Sequence, residues 1–228
     1  MKTIRLLFTA VVAAACATTQ ADTLNLSGIG GGSYAVKVTS LKEARFKTTT
    51  RQLYDFSCGS AAVATLLTHH YGYPVAEKSV FEEMYARGDQ AKIRREGFSL
   101  LDMKMYLQAH QFQADGFELP LGKLLESGLP AIVLINDKGY HHFVVIKGMR
   151  DGRILVGDPS SGTRVASQDS FETLWTSKLL FVIHNKQAQA RFNDETDWRA
   201  APRAPLLAGV NHEGLGPLTL ARFRPGDF

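Results

Sequence analysis

The hydrophobic pattern of this chain changes period once, at Pro130, and that change constrains the fold more than any single motif. Before it, apolar residues recur at helical spacing. After Cys58, the residues Ala62, Val63, Leu66, Leu67 and Tyr71 share one face, and Gly72 with Pro74 supplies the stop. Val80, Phe81, Met84 and Tyr85 mark a second helix ending near Gly88. Ser99 caps a third, carrying Leu100, Met103 and Leu107 with Asp102 three residues on, and a short fourth covers Leu121 to Glu126. The intervening Lys92-Ile93-Arg94-Arg95-Glu96 reads as charged and solvated. After Pro130 the runs are short and rich in β-branched residues: Ala131 to Ile135, Phe143 to Ile146, Arg153 to Val156 and Leu179 to Ile183. Asp137-Lys138-Gly139 and Asp151-Gly152 read as tight turns between them, with a helical insert around Ser170 to Trp175. Helices first and an antiparallel sheet second predict an α+β domain.

The flanks have a different character. Lys2 and Arg5 precede an apolar run from Leu6 to Ala15, too short to span a bilayer, and Thr19-Gln20-Ala21 offers a small-residue cleavage site. Residues 1–21 therefore read as an export signal, with a mature protein starting near Asp22 in the periplasm and without a membrane span. A lipoprotein acylated at Cys16 is the alternative, but Ala13 stands where a leucine is usual. Residues 22–46 form an N-terminal arm, with Gly30-Gly31-Gly32 as a connector and Tyr34 to Val38 as an edge strand. Residues 186–228, punctuated by Pro202, Pro205, Pro217 and Pro225, read as a C-terminal extension.

Signal removal would take Cys16 with it and leave Cys58 as the only cysteine of the mature chain. In an oxidising compartment an unpaired thiol is a liability, tolerated through burial or retained for chemistry. Cys58 begins a helix, where unpaired N–H groups and the positive dipole end favour a thiolate. A cysteine nucleophile needs a base and a group to orient it. Gly139-Tyr140-His141-His142-Phe143 and Gly157-Asp158-Pro159 lie at the ends of successive strand runs, so His142 and Asp158 could meet at one sheet edge. A half-exposed histidine and a simple Asp-Pro turn remain the plain structural alternatives.

Rival chemistries have weaker patterns. The histidine pairs at 69–70 and 141–142 show no His-x-x-x-His or Cys-x-x-Cys spacing, and neighbours on a strand point to opposite faces, so no metal or cofactor is called for. The net charge of +4 includes Lys2 and Arg5, and no basic run interleaved with aromatics suggests nucleic acid.

Gln52, five intervening residues, Cys58-Gly59-Ser60-Ala61-Ala62, then His142-Phe143-Val144-Val145-Ile146 and Asp158-Pro159 together resemble the bacteriocin-processing, double-glycine leader peptidases of the papain-like superfamily, over about residues 47 to 185. The resemblance implies a papain-like fold, with a helical half carrying the cysteine on a helix N-terminus and a C-terminal antiparallel sheet carrying His and Asp. It also implies Cys58 as nucleophile, His142 as general base and later acid, Asp158 as orienting carboxylate, and the Gln52 amide with the Cys58 N–H as oxyanion donors. Family members commonly carry an acid just before the cysteine, where this chain has Ser57. Exporter-fused members continue into membrane helices and an ATPase. With no spanning segment and no Gly-x-x-x-x-Gly-Lys loop, this chain is similar to the free-standing peptidases of functional-amyloid export systems in Gram-negative bacteria. The expected activity is cleavage of an exported protein after a Gly-Gly or similarly small pair, with secretion-system components as further partners. The alternative from another class is a non-cleaving module that recognises an export signal.

Overall fold

The computed structural model describes the backbone of residues 23–27 and 33–37, and residues 39–199 in full. The proposed signal segment, Gly30 to Gly32 and the extension from residue 200 onward lie outside the described residues. The chain divides into two compact units, Met1–Leu41 and Lys42–Phe228. The first contains an antiparallel hairpin of β1 (Thr23–Ser27) and β2 (Ser33–Lys37), in which Thr23 is paired with Lys37.

The second unit opens with α1 (Leu41–Phe46) and an extended segment leading to α2 (Cys58–Thr65). α2 does not run as one α-helix to Tyr71, as the periodicity predicts. It passes into a π-helical turn over Leu66–His70, which rotates the face so that Leu66, Leu67 and His70 are all buried. α3 (Glu77–Arg87), α4 (Gln90–Glu96), α5 (Leu100–Ala109) and α6 (Gly122–Ser127) follow. α4 corrects the expectation of a wholly solvated charged stretch. Asp89 caps it by accepting from the N–H groups of Ala91 and Lys92, and the single apolar residue Ile93 is buried among α3 and α5 residues. Ser99 and Asp102 form a reciprocal capping box at the start of α5.

The sheet comprises β3 (Ala114–Glu118), β4 (Ala131–Asp137), β5 (Tyr140–Arg150), β6 (Arg153–Asp158), β7 (Gly162–Ser167) and β8 (Leu179–Ile183), in the order β3-β8-β4-β5-β6-β7. Every pairing is antiparallel. β3 and β7 went unread because their sequences, ADGFE and GTRVAS, carry few apolar residues. The turns fall as read: Lys138 (φ 54°) with Gly139 (φ 88°), and Asp151 (φ 53°) with Gly152 (φ 69°), adopt the left-handed pairs that a two-residue hairpin needs. The helical insert is α7 (Gln168–Leu174), and α8 (Glu195–Arg199) follows the last strand.

Both faces of the sheet are covered, which explains the near-continuous apolar runs. Ile132, Phe143, Val145, Phe181 and Ile183 pack against α2, α3 and α5. Val133, Val144, Ile146, Ile154 and Val182 pack against Leu121, Leu124, Phe171 and Trp175 on and beside α6 and α7. Each wholly buried Leu, Ile or Val contributes about 1.5–3 kcal/mol. His142 and Asp158 therefore sit on a sheet packed on both faces, at the end where β5 begins and β6 ends.

Candidate active site

The segment before α2 is fastened at several points. The Gln52 N–H donates to the Pro159 carbonyl (3.1 Å), so the loop before Cys58 and the loop after Asp158 are joined through the backbone. Thr50 N–H donates to Thr65 Oγ1 (2.9 Å), and Thr49 and Thr163 share a hydroxyl hydrogen bond (2.8 Å). Ser57 is the N-cap residue by position, yet its hydroxyl closes the preceding turn, accepting from Tyr54 N–H and donating to Tyr54 O, both at 3.0 Å. Beneath this turn lies Glu77, a buried carboxylate that accepts from the Ser60 hydroxyl (2.8 Å).

Cys58 is the only cysteine among the described residues, free and only 6% exposed. Burial pushes its thiol above the ordinary range, while the backbone N–H groups of Phe143, Gly59 and Cys58 itself pull it down. Burial thus opposes the thiolate-favouring effect expected of the helix start. The Phe143 N–H that acts on this sulfur belongs to the residue directly after His142.

His142 and Asp158 are brought together by strand pairing. Val145 is opposite Gly157 across β5 and β6, and two buried side chains from the adjoining strand ends meet there, with His142 Nε2 and Asp158 Oδ2 3.3 Å apart. The other ring nitrogen, Nδ1, is buried and has no hydrogen-bond partner among the described residues. Burial raises the Asp158 carboxyl, but the bonds to His142 and Ser160 prevail and hold it well below the usual carboxylate range. Asp158 Oδ1 accepts from Ser160 N–H (2.9 Å) and Ser160 Oγ (2.6 Å), and Arg164 Nε approaches Oδ2 at 3.4 Å. A carboxylate so held stays ionised and orients the imidazole.

Gln52 reaches the same region with its amide turned into its own loop. Nε2 donates to Tyr54 O (3.1 Å) and to Asp55 O (3.5 Å), and Oε1 is buried with no partner among the described residues. His141 is exposed, whereas His142 is buried, as strand alternation requires. His70 gives its Nδ1 to a bond with the Arg191 carbonyl (2.7 Å) and is remote in role from this cluster.

Residues 47–187, which carry the helix that starts at Cys58, the six-stranded sheet and the His142–Asp158 pair, match the family model of the peptidase C39 family. The chain belongs to the peptidase C39 family. It is a cysteine peptidase of papain-like fold. It is 39% identical over 167 residues to the probable functional amyloid protease FapD of Pseudomonas aeruginosa, covering 73% of this chain and 74% of that protein. It is 38% identical over 154 residues to the protein of the same description from Pseudomonas fluorescens, covering 68% of each. Among solved structures, the peptidase domain of Streptococcus ComA superposes with a TM-score of 0.50 at 20% identity, covering 60% of this chain and 97% of that domain, a likeness of fold.

Sequence reading missed three neighbours of the His142–Asp158 pair. Ser160 was legible as the third residue of an Asp-Pro-Ser turn whose serine can return to the aspartate. Arg164 carried no signal, since β7 itself was unread. Tyr140 stands two residues before His142 on the same strand face, and the rings are tilted against one another with centroids 5.2 Å apart.

Proposed function

We propose that this peptidase is a periplasmic enzyme that cleaves an exported protein after a Gly-Gly or similarly small pair, in the service of functional-amyloid or biofilm secretion. Cys58 is the nucleophile, His142 the general base and later general acid, and Asp158 the group that orients the imidazole. The observation that carries this reading is the His142–Asp158 pair, which leaves Nδ1 buried and unpartnered beside the backbone group that acts on the Cys58 sulfur.

The steps follow from that arrangement. The Cys58 proton passes to His142 as the sulfur attacks the scissile carbonyl, and Asp158 stabilises the imidazolium. Charge developing on the carbonyl oxygen is met by the Cys58 N–H and by the Gln52 amide, which swings from Tyr54 O and Asp55 O to do so. His142 returns the proton to the departing amine, and water then hydrolyses the acyl-enzyme by the reverse use of the same base. The preference for glycine follows from a thiol nearly closed to solvent, which a substrate backbone without side chains can approach. The amyloid setting rests on the relatives' description as probable functional amyloid proteases, and export rests on the signal-like residues 1–21.

The test is to incubate exported proteins from the same genomic neighbourhood with the wild type and with Cys58→Ala, and to read substrate masses. Cleavage after a small pair by the wild type alone is expected. Equal cleavage by both proteins refutes the assignment of Cys58, and binding without any mass change favours a non-cleaving module.

A further inference from the structure

The reacting groups of this site are all covered: Cys58 and His142 are each 6% exposed and Asp158 is 3% exposed. A peptide bond can reach the sulfur only where the cover can open. One half-exposed side chain ties the sheet to the loop ahead of Cys58. Tyr140, 50% exposed, is the first residue of β5, and its hydroxyl donates to the Asp55 carbonyl (3.2 Å) in the loop that leads to Cys58. Its ring lies against that of His142. The ring contact with His142 and the bond to Asp55 set Tyr140 between the strand that carries His142 and the loop that leads to Cys58, and burial first, then the charges of Cys58, Asp55 and Asp158, raise its phenol.

We propose that Tyr140 is the specificity-determining residue of the cleft: its ring walls the approach to Cys58 beside His142, its hydroxyl latches that wall to Asp55, and the gap left admits residues without a side chain. The inference rests on Cys58 as the nucleophile.

The Asp55 carbonyl is shared. It accepts from Tyr140 Oη at 3.2 Å and from Gln52 Nε2 at 3.5 Å. When the Gln52 amide turns toward a developing oxyanion, the tyrosine bond keeps that carbonyl satisfied and the loop in place, at no desolvation cost to the carbonyl. The wall is also held from behind. Tyr140 follows the Lys138-Gly139 turn directly and is paired with Asp137 across the hairpin, so the ring direction is set by the turn and the strand register. A methyl group on the substrate residue beside the scissile bond would have to displace this ring and break its bond to Asp55. Because the wall is an aromatic side chain on a hairpin tip, truncating it leaves the sheet and the triad residues where they are. The site then accepts larger residues.

The test has two arms on the full-length protein. In the first, wild type, Y140A and Y140L are alkylated with N-methylmaleimide and with N-(1-pyrenyl)maleimide, and modification of Cys58 is read by peptide mapping, which separates it from Cys16. The two reagents share their chemistry and differ in bulk. We expect the rate ratio of bulky to small reagent to rise about tenfold in Y140A and severalfold in Y140L, since access limits reaction of a covered thiol. An unchanged ratio in both variants overturns the proposal, whether or not the protein proves to cut Gly-Gly sites. In the second arm, matched peptides with Gly-Gly or Ala-Ala before the scissile bond are compared. Wild type is expected to favour Gly-Gly by about 100-fold in kcat/KM, and Y140A to reduce that preference about tenfold through faster Ala-Ala cleavage. A preference unchanged in Y140A removes Tyr140 as the determinant. Failure of wild type to cleave either peptide counts against the substrate reading alone, and the alkylation ratio then decides Tyr140.

Discussion

Lys147 Nζ donates to Asp197 Oδ1 at 2.8 Å, in an ion pair whose side chains are 0% and 5% exposed and which fastens β5 to α8. The ammonium also donates to Thr48 O (2.7 Å) and Thr48 Oγ1 (2.8 Å), so one buried cation ties together the segment before the Cys58 loop, the central strand and a helix beyond the family-matched region. Burial lowers the Lys147 pKa and the Asp197 charge opposes the shift. Removing one partner leaves an uncompensated buried charge, whereas removing both removes the need for either. We expect Asp197→Ala to destabilise the fold by about 3–5 kcal/mol and the double variant K147M/D197L to recover most of it. Urea denaturation of the three proteins decides; a double variant no more stable than Asp197→Ala would show that the pair is not coupled.

The same strand carries a second attachment. At the bulge between Ile146 and Gly148, Asn193 Oδ1 accepts from Met149 N–H (2.7 Å), and a Cβ on Gly148 would lie 2.4 Å from that oxygen. Gly148→Ala should cost about 1–3 kcal/mol through forced displacement of the 191–199 segment. Gly148→Ala in an Asn193→Ala background should cost measurably less. Thermal melts of the single and double variants test whether the clash is with Asn193.

Asp158→Asn separates orientation from shape. An amide cannot stabilise an imidazolium and can hold the ring in the wrong tautomer, so kcat/KM should fall by about 10²–10⁴-fold with little change in KM. The carboxyl is depressed in the folded state, so its stabilisation is present above about pH 4, its ordinary unfolded range, and is lost as pH falls further. Acid titration of unfolding free energy should be correspondingly flatter in the variant. An unchanged kcat/KM would remove Asp158 from the mechanism.

Glu77 should show the opposite sign. Burial raises its carboxyl, with bonds from Ser60, Ser57 and the Leu53 backbone opposing. The folded state therefore holds this proton more tightly than the unfolded one, and stability falls as pH rises from about 4 through the raised value. Glu77→Gln retains an acceptor for Ser60 and cannot ionise, so it should be more stable than wild type at pH 7 and flat across that window. Denaturation midpoints between pH 4 and 7 are the measurement; parallel curves would refute it.

How much was legible beforehand differs between elements. The start of α5 could be placed to the residue because Ser99 and Asp102 are three positions apart and both partners of its cap lie in the sequence window. The Asp151-Gly152 turn was equally local. β5 was not: only Phe143 to Ile146 reads as a strand, yet it runs from Tyr140 to Arg150, because Lys147 is drawn into the sheet by Thr48 and Asp197, residues 99 and 50 positions away. α4 was misjudged because four charged neighbours masked the one apolar residue that matters, Ile93.

The candidate site divides the same way. The sequence by itself determined the helix that starts at Cys58, the hairpin turn ahead of Tyr140 and the choice of His142 and Asp158 as candidates, since caps, turns and period are set within a few residues. Only the tertiary structure decided which ring nitrogen of His142 faces Asp158, that burial pushes the Cys58 thiol up, and that Tyr140 reaches across to Asp55. Those depend on strand register and desolvation, which arise from segments up to about a hundred residues apart packing together, and no local pattern carries them.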